Sequence, residues 1–185
     1  MDDSKIIELF LERSEQAIME LSAKYGSICI TIARNILNNA LDAEECVNDT
    51  FLAAWNTIPP QIPLTLKGYV CSIVRKLSIT KYHSNSALKR NSHYDIALDE
   101  IESCIAAPVT VEDEIAVKEL SRMLNGFLDS LDKESRIMFV RRYWYSDSVS
   151  QIAKKFGISN NNVSVRLSRI REKLKNYLRK EGYSI

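Results

Sequence analysis

The sequence predicts an all-α protein of two small helical domains joined by a flexible acidic linker, the C-terminal domain being a helix-turn-helix. Glycine and proline are rare, at five and four among 185 residues. No stretch shows the sustained alternation of apolar and polar residues that strands need. The 45% hydrophobic and 26% charged content is typical of a globular protein rather than a disordered one.

The N-terminal domain is predicted to span residues 1–90 and to contain three helices. Apolar residues recur at helical spacing in three segments, roughly 4–38, 42–57 and 66–83. Three prolines, Pro59, Pro60 and Pro63, separate the second segment from the third. Because proline has no N–H to donate, the helix is expected to break there.

A polar stretch from His83 to Thr110 follows, with weak periodicity and mixed turn residues. This stretch is predicted to be mostly irregular, and residues 91–111 are assigned to the linker. Helical periodicity resumes with "VEDEIAVKELSRMLNGFLDSL", so the second domain is predicted to span residues 112–185.

The stretch "SQIAKKFGISNNNVSVRLSRIREKL" in the second domain has the pattern of a helix-turn-helix. Gly157 is predicted to end the first helix in the left-handed conformation, and Ser159 to cap the second. The small Ala153 permits a close crossing of the two helices. The second helix should turn one apolar side inward, formed by Val163, Leu167, Ile170, Leu174 and Leu178.

Polar and basic residues occupy the opposite side of this second helix. They are spaced four, three and four residues apart: Asn162, Arg166, Arg169 and Lys173. Asparagine and arginine are well shaped for bidentate bonds to adenine and guanine edges, and lysine and arginine also hold phosphates. Arg171 and Lys175 form a second basic ridge, expected to face the flanking DNA backbone. DNA binding is favoured over the alternative, a solvated charged face on a structural hairpin.

Charge is distributed in blocks that the overall net charge of +1 conceals. The net charge is −6 over residues 1–66, +6 over 67–90, −8 over 91–132 and +9 over 133–185. Two basic blocks separated by an acidic one indicate two surfaces that face polyanions. The alternative is a chance grouping of charges on solvated helix faces.

The stretch "DAEECVNDTFLAAWNTI" is predicted to be a helix that begins at an Asp42 cap with Glu45 at its third position. One side should pack into the core, through Val47, Phe51, Ala54, Trp55 and Ile58. Another side projects three polar residues and one apolar residue: Glu45, Asn48, Asp49 and Leu52. On its own, this side is also compatible with an ordinary solvated face.

The last stretch resembles the helix by which bacterial RNA polymerase sigma factors grip the core enzyme. The following "LKGYVCSIVRKLSITKYH" is similar to their promoter-melting helix, and the helix-turn-helix ending in "VSVRLSRIREKLKNYL" is similar to their C-terminal DNA-reading domain. With these two domains and a short linker, the chain resembles the extracytoplasmic-function (ECF) subfamily. The resemblance implies promoter recognition and melting at the start of transcription, with no enzymatic activity of the chain itself.

The resemblance also implies roles by position. Binding to the clamp helices of the polymerase's largest subunit would use Glu45, Asn48, Asp49 and Leu52. A loop from Pro59 to Lys67 would capture an unpaired base of the −10 element. Contacts to melted DNA would come from Lys67, Tyr69, Arg75, Lys76, Lys81, Lys89 and Arg90. The −35 element would be read by Asn160, Asn161, Asn162, Val165, Arg166 and Arg169, with Arg171 and Lys173 as the further basic contacts.

Some positions depart from the usual family pattern. Asn48 and Asp49 stand where Gln and Glu are usual, so each side chain is one methylene shorter. Tyr69 stands where Trp is common, Lys76 where Asn is frequent, and Thr80 where an acidic residue is frequent. The last two changes make the promoter-melting helix more basic.

The resemblance implies core RNA polymerase and promoter DNA as partners, with no membrane insertion. Many members of the family are also held by an anti-sigma factor. No apolar run approaches the roughly 20 residues that cross a bilayer, and the N-terminus is acidic, so we expect a cytoplasmic protein. The four cysteines have no C-x-x-C spacing and are expected to be reduced and mostly buried: Cys29, Cys46, Cys71 and Cys104.

Two other functions are compatible with parts of the sequence. One is an autonomous helix-turn-helix regulator that uses residues 1–90 for sensing or dimerisation. The other is an enzyme acting on nucleic acid. Only two histidines are present, His83 and His93, and no acidic residues have metal-ligand spacing, so no catalytic residue, metal or cofactor is expected.

Overall fold

A computed structural model describes residues 1–85, 92–102, 104 and 114–183, with the backbone only for 114–117. The chain divides into two compact units, Met1–His93 and Tyr94–Ile185. The described residues form helices and contain no strand, which confirms the all-α prediction. Lys89 and Arg90 of the predicted DNA-contacting set lie outside the described residues, as do residues 91, 103 and 105–111 of the predicted linker.

The first unit consists of four helices packed around α2. Their bounds are α1 Asp3–Leu11, α2 Gln16–Leu37, α3 Ala40–Thr57 and α4 Leu66–Asn85. Helices α2, α3 and α4 each contact the other two. Their shared interior is apolar and includes Leu21, Ile32, Phe51, Val70 and Val74, each at most 8% exposed.

The first predicted helix, roughly residues 4–38, is two helices. The chain leaves helical geometry after Leu11 and passes through Arg13, which has a left-handed φ of 55°. The Arg13 guanidinium donates a 2.6 Å hydrogen bond to the backbone oxygen of Trp55 and lies 5.4 Å from the centre of its ring. Because this contact joins residues 42 positions apart, helical periodicity could not reveal the break.

Helix α3 begins two residues earlier than predicted, and Asp42 is not its cap. The side chain of Asn39 accepts hydrogen bonds from the backbone N–H of Leu41 at 3.0 Å and of Asp42 at 3.4 Å. Asparagine is among the strongest N-cap residues because its side-chain oxygen satisfies amides that have no partner within the helix. Asp42 therefore lies inside the first turn.

Replacing this cap should cost measurable stability. We expect Asn39→Ala to lower the free energy of unfolding by about 1 kcal/mol, since the amides of the first turn lose their acceptor. Urea unfolding followed by circular dichroism measures the change. Asn56→Ala, at an exposed position of the same helix, is the control and should change stability by less than about 0.5 kcal/mol. Equal effects of the two variants would contradict the assignment of the cap.

The second unit contains the remaining helices. Their bounds are α5 His93–Glu102, α6 Glu114–Ser130, α7 Lys133–Phe139, a π-helical turn Val140–Trp144, α8 Val149–Phe156 and α9 Asn160–Lys180. One part of the core joins α6 and the C-terminal part of α9 through residues such as Phe127 and Leu174. A second cluster packs α7, α8 and the start of α9 together, formed by Met138, Ile152, Ala153, Val163 and Leu167.

Helix α5 corrects the prediction that the stretch from His83 to Thr110 is mostly irregular. Ten residues of that stretch, His93–Glu102, form α5, and Tyr94 and Ala97 on this helix are buried. Cys104, just after the helix, lies in the core cluster of the second unit, and Ile101 packs against that cluster. The periodicity of α5 is weak in the sequence because polar residues are interspersed, and packing within the second unit supplies its stability.

A bilayer-spanning helix must be both long and apolar. Among the described helices, none combines these two properties.

Candidate nucleic-acid and partner surfaces

The turn between α8 and α9 has the geometry that the sequence predicts. Helix α8 starts with a capping box, in which Ser148 and Gln151 bond each other's backbone N–H, and ends at Gly157 with φ of 65°. Ser159 then caps α9 by accepting a hydrogen bond from the backbone N–H of Asn162 at 3.2 Å. Ala153 and Val163 meet in the apolar cluster between the two helices. The helix-turn-helix is therefore held by local caps and by a small shared core.

Helix α9 exposes a polar surface, the recognition face, on the side opposite its buried stripe. The stripe is buried as predicted, at Val163, Leu167, Ile170, Leu174 and Leu178. Asn162, Val165, Arg169 and Lys173 are exposed on this face, and Asn160 and Asn161 are exposed at the N-terminal end of the helix. Its first residues lie at the positive end of the helix dipole, next to backbone N–H groups without helical partners, which is a favourable place for an anion.

Arg166 lies on the recognition face but has an acidic partner. Its guanidinium is 3.0 Å from the carboxylate of Glu134 in α7, and the two side chains are 40% and 66% exposed. An ion pair this exposed is worth about 1 kcal/mol or less, because water screens it. The contact therefore orients Arg166 without preventing it from binding another anion.

Arg171 does not lie on the recognition face. It is nine residues after Asn162, which places it about 180° around the helix axis at 3.6 residues per turn. Its guanidinium donates hydrogen bonds to the hydroxyl of Tyr143 at 2.9 Å and to the carboxylate of Glu100 at 3.2 Å. The sequence assigns Arg171 to a second basic ridge, and the structure places it on a different side of α9 from the recognition face.

Helix α3 presents the acidic face, defined as Glu45, Asn48, Asp49 and Leu52. All four side chains are exposed, and Leu52 is 56% exposed. The other side of the helix is buried as predicted at Val47, Phe51, Ala54 and Ile58, while Trp55 is half-buried against Phe10. The four residues therefore form one solvent-facing strip on a helix that the core holds rigidly.

Leu41 extends the acidic face and was missed by the sequence reasoning. It is 77% exposed and lies 11 residues before Leu52, about three helical turns, so the two leucines point the same way about 16 Å apart. The prediction began the helix at Asp42, which left Leu41 outside it. Asn39, an equally good cap three residues earlier, was the signal that could have placed Leu41 on this face.

One ion pair joins the acidic face to α4. The ammonium of Lys81 lies 2.8 and 2.9 Å from the two carboxylate oxygens of Glu45, and 4.0 Å from the carboxylate of Asp42. The hydrogen bond to Glu45 raises the pKa of the Lys81 ammonium. Asn85 also donates a 3.1 Å bond to Asp42. Two residues predicted to serve different partners, Glu45 and Lys81, thus contact each other in the first unit.

The other described residues predicted to contact the −10 element lie along α4. Lys67 and Lys76 are exposed, whereas Arg75 and Tyr69 are partly buried. The Tyr69 hydroxyl contacts the hydroxyl of Thr57 at 2.6 Å and donates to the side-chain oxygen of Gln61 at 2.9 Å. Tyr69 therefore braces the loop between α3 and α4.

That loop exposes two large apolar side chains. Leu64 is fully exposed and Ile62 is 66% exposed. They flank Pro63 within the loop from Pro59 to Lys67, for which the family resemblance implies capture of an unpaired base. Apolar side chains this exposed are available to contact a base that has left its stack.

In the described part of the chain, no group of three or more His, Cys, Asp or Glu side chains is placed to hold a metal ion. The four cysteines are buried and form no disulfide. Burial raises the pKa of the Cys29 thiol to about 12, so that thiol stays protonated and unreactive at neutral pH.

Comparison with known proteins identifies a family for each unit. Residues 21–87 match the family model described as sigma-70 region 2, and residues 121–174 match the model described as sigma-70, region 4. A solved structure of CnrH in complex with the cytosolic domain of CnrY is similar at 22% identity over 96% of this chain and 97% of that chain, with a TM-score of 0.42. No curated protein sequence matches the chain.

Proposed function

We propose that this chain, which belongs to the sigma-70 family, is a sigma factor of the ECF type. In this role it binds core RNA polymerase, directs it to promoters by reading −35 and −10 elements, and helps to melt the DNA. The observation that carries the proposal is the recognition face. There, polar and basic side chains lie at the exposed start of a capped helix in the second unit, which matches sigma-70 region 4. A helix-turn-helix inserts this end of its second helix into the major groove.

The −35 element is assigned to the recognition face. Asn162 and Arg166 are one helical turn apart near its N-terminus, within reach of base edges when the helix enters the groove end-on. Arg169 and Lys173 follow on the same side, further from that end. As the helix leaves the groove, these later residues meet phosphates rather than bases.

Core polymerase is assigned to the acidic face. Its two carboxylates, on Glu45 and Asp49, favour a basic partner surface, and opposite charges speed and orient docking. Leu52 supplies apolar area that can be buried at the centre of an interface, and we include Leu41 as a second apolar contact. The proposed partner segment is therefore basic, with apolar side chains about 16 Å apart that meet the two leucines.

The −10 element is assigned to α4 and the loop before it. Exposed lysines on α4, Lys67 and Lys76, would hold the backbone of the opened strand. Ile62 and Leu64 on the loop would contact the extruded base. The buried face of α4 packs against α2 and α3. The DNA would therefore contact the exposed face of a helix that is held in place by the core.

Run-off transcription with purified core polymerase on a library of genomic fragments tests the proposal. The chain should direct initiation at a defined subset of fragments that share two sequence elements, and the products give the promoter directly. Initiation only where core polymerase initiates alone would contradict the proposal. Tight binding of the isolated chain to the same DNA without polymerase would instead favour an autonomous helix-turn-helix regulator.

Neutralising two lysines of α4 should impair melting selectively. We expect Lys76→Gln with Lys81→Gln to reduce open-complex formation on duplex promoters about fivefold, since exposed ion contacts are worth on the order of 0.5 kcal/mol each. The loss should be smaller on templates already opened across the −10 region, because those templates do not require the few kcal/mol that unstacking costs. Permanganate footprinting of both templates measures the difference.

The matched control for melting keeps the charge. Lys76→Arg with Lys81→Arg should open duplex promoters at close to the normal level, because a guanidinium in place of the Lys81 ammonium can still pair with Glu45. An equal loss on duplex and opened templates with the Gln variants would indicate general attraction to the DNA backbone and would contradict a role in melting.

A further inference from the structure

The second unit contains a buried arginine that the proposed function does not use. Arg142, in the π-helical turn, is only 2% exposed. Its guanidinium donates two hydrogen bonds to the Glu100 carboxylate at 2.8 and 3.0 Å, and a third to the backbone oxygen of Asp147 at 2.9 Å. A buried charge needs compensation of this kind, because removing it from water without a partner costs several kcal/mol.

Glu100 serves more than this one partner. Its carboxylate also accepts hydrogen bonds from the Tyr143 hydroxyl at 3.1 Å and from Arg171 at 3.2 Å. Burial alone would raise the pKa of Glu100, but the hydrogen bonds from Arg142 and Tyr143 and the charge of Arg171 together lower it. The carboxylate is therefore ionised at neutral pH and compensates two guanidinium groups at once.

These contacts connect two parts of the second unit, the approach to α8 and the middle of α9, to α5. Arg142 reaches the backbone just before the Ser148 cap of α8. Arg171 lies on α9, on the side away from the recognition face. Because Glu100 contacts both arginines, one side chain of α5 connects the approach to α8 with the middle of α9.

From this geometry we propose that Glu100 is a positioning residue for promoter reading, which fixes the orientation of α9 relative to α8. The inference rests on the proposed function, since it concerns how the −35 element is read. It assigns α5, which the sequence places in the linker, to the DNA-reading unit as a brace.

A small tilt of α9 at Arg171 is enough to displace the residues proposed to read the −35 element. Asn162 lies nine residues away, or about 14 Å along the helix, so a tilt of roughly 5° at Arg171 displaces it by about 1 Å. Recognition groups must be held within about 0.5 Å of their productive geometry. Loss of the Glu100 contacts should therefore reduce discrimination between bases more than it reduces attraction to the DNA backbone.

The test uses holoenzyme reconstituted from the full chain carrying Glu100→Gln, which keeps the shape of the side chain and removes its charge. Affinities for a promoter and for variants substituted in the −35 element give the discrimination, measured well below the unfolding temperature. We expect discrimination to fall roughly threefold to tenfold, with affinity for non-specific DNA unchanged. Hydrogen exchange of the α9 backbone in the same chain should increase.

Two further variants keep the test decisive. Glu102→Gln removes an exposed carboxylate from the same helix and should leave discrimination unchanged. Tyr143→Phe removes one hydrogen bond to Glu100 and the acceptor for Arg171, and it should cause a smaller loss of discrimination. If Glu100→Gln does not fold, the Tyr143 variant decides the outcome.

The outcomes separate the inference from the proposed function. Normal discrimination in a folded Glu100→Gln chain, with unchanged hydrogen exchange, would overturn the positioning role. An equal change in affinity for specific and non-specific DNA, with discrimination unchanged, would also overturn it, because Glu100 would then act through its charge alone and not through the orientation of α9. If holoenzyme with the unaltered chain showed no −35 discrimination, the proposed function itself would fail, and the positioning role with it.

Discussion

A chain carrying both Asp49→Ala and Leu52→Ala is expected to bind core RNA polymerase at least about tenfold more weakly than the unaltered chain. A residue near the centre of an interface is worth about 1–3 kcal/mol when truncated to alanine, and each 1.4 kcal/mol corresponds to about tenfold in affinity. Both side chains are exposed, so the truncations leave no cavity in the core. Competition binding against a labelled chain measures the affinity.

The control variant makes the same two kinds of truncation at another place in the first unit. Glu15 and Met19 are exposed near the start of α2, and changing both to alanine takes away one carboxylate and one large apolar side chain. This pair should leave affinity for the polymerase unchanged. If the Asp49 and Leu52 variant bound core polymerase with full affinity and unfolded normally on heating, the acidic face would not be part of the interface.

The ion pair between Lys81 and Glu45 bears on how the first unit meets two partners. Both side chains have been assigned to separate surfaces, yet they neutralise each other in the free chain. The Glu45 side chain is 57% exposed, so water screens the pair. A basic polymerase surface or a DNA phosphate can therefore displace either partner at little cost, and the pair does not argue against either assignment.

The sequence predicted best those features that depend on neighbouring residues. The turn of the helix-turn-helix is determined by Gly157 and by the Ser159 cap, both of which act on the adjacent residues. The apolar stripe of α9 follows from helical periodicity alone. Such features need no knowledge of the rest of the fold, so they could be read before the structure was known.

Features that depend on distant residues could not be predicted in this way. The contact between Glu100 and Arg171 joins positions 71 residues apart, and without knowledge of it α5 is interpreted as linker and the acidic partner of Arg171 is not foreseen. The predicted cap of α3 was wrong for a different reason. Asn39 and Asp42 are both good cap residues, and the local pattern did not determine which of them is used.

Arg166→Ala should relax the base preference at one position of the −35 element, with a loss of about 1–3 kcal/mol in discrimination against the wrong base. Arg166 is in the second turn of α9, one turn beyond Asn162, and so lies close enough to the end of the helix to reach a base edge. Competition binding of holoenzyme to promoter variants at two salt concentrations measures the effect. Glu134→Gln, which removes the acidic partner of Arg166 and keeps the arginine, should leave the base preference intact.

Arg169→Ala is the contrasting variant in this experiment, because Arg169 is expected to contact phosphate and not a base. Arg169 lies almost a turn further along the same face, where the helix moves toward the DNA backbone. Its loss should weaken binding about equally for all promoter variants and should make the salt dependence shallower, since one phosphate contact contributes a slope of about 0.9. If Arg166→Ala also lowered affinity for every variant by the same factor, Arg166 would not read a base, even though α9 would still bind DNA.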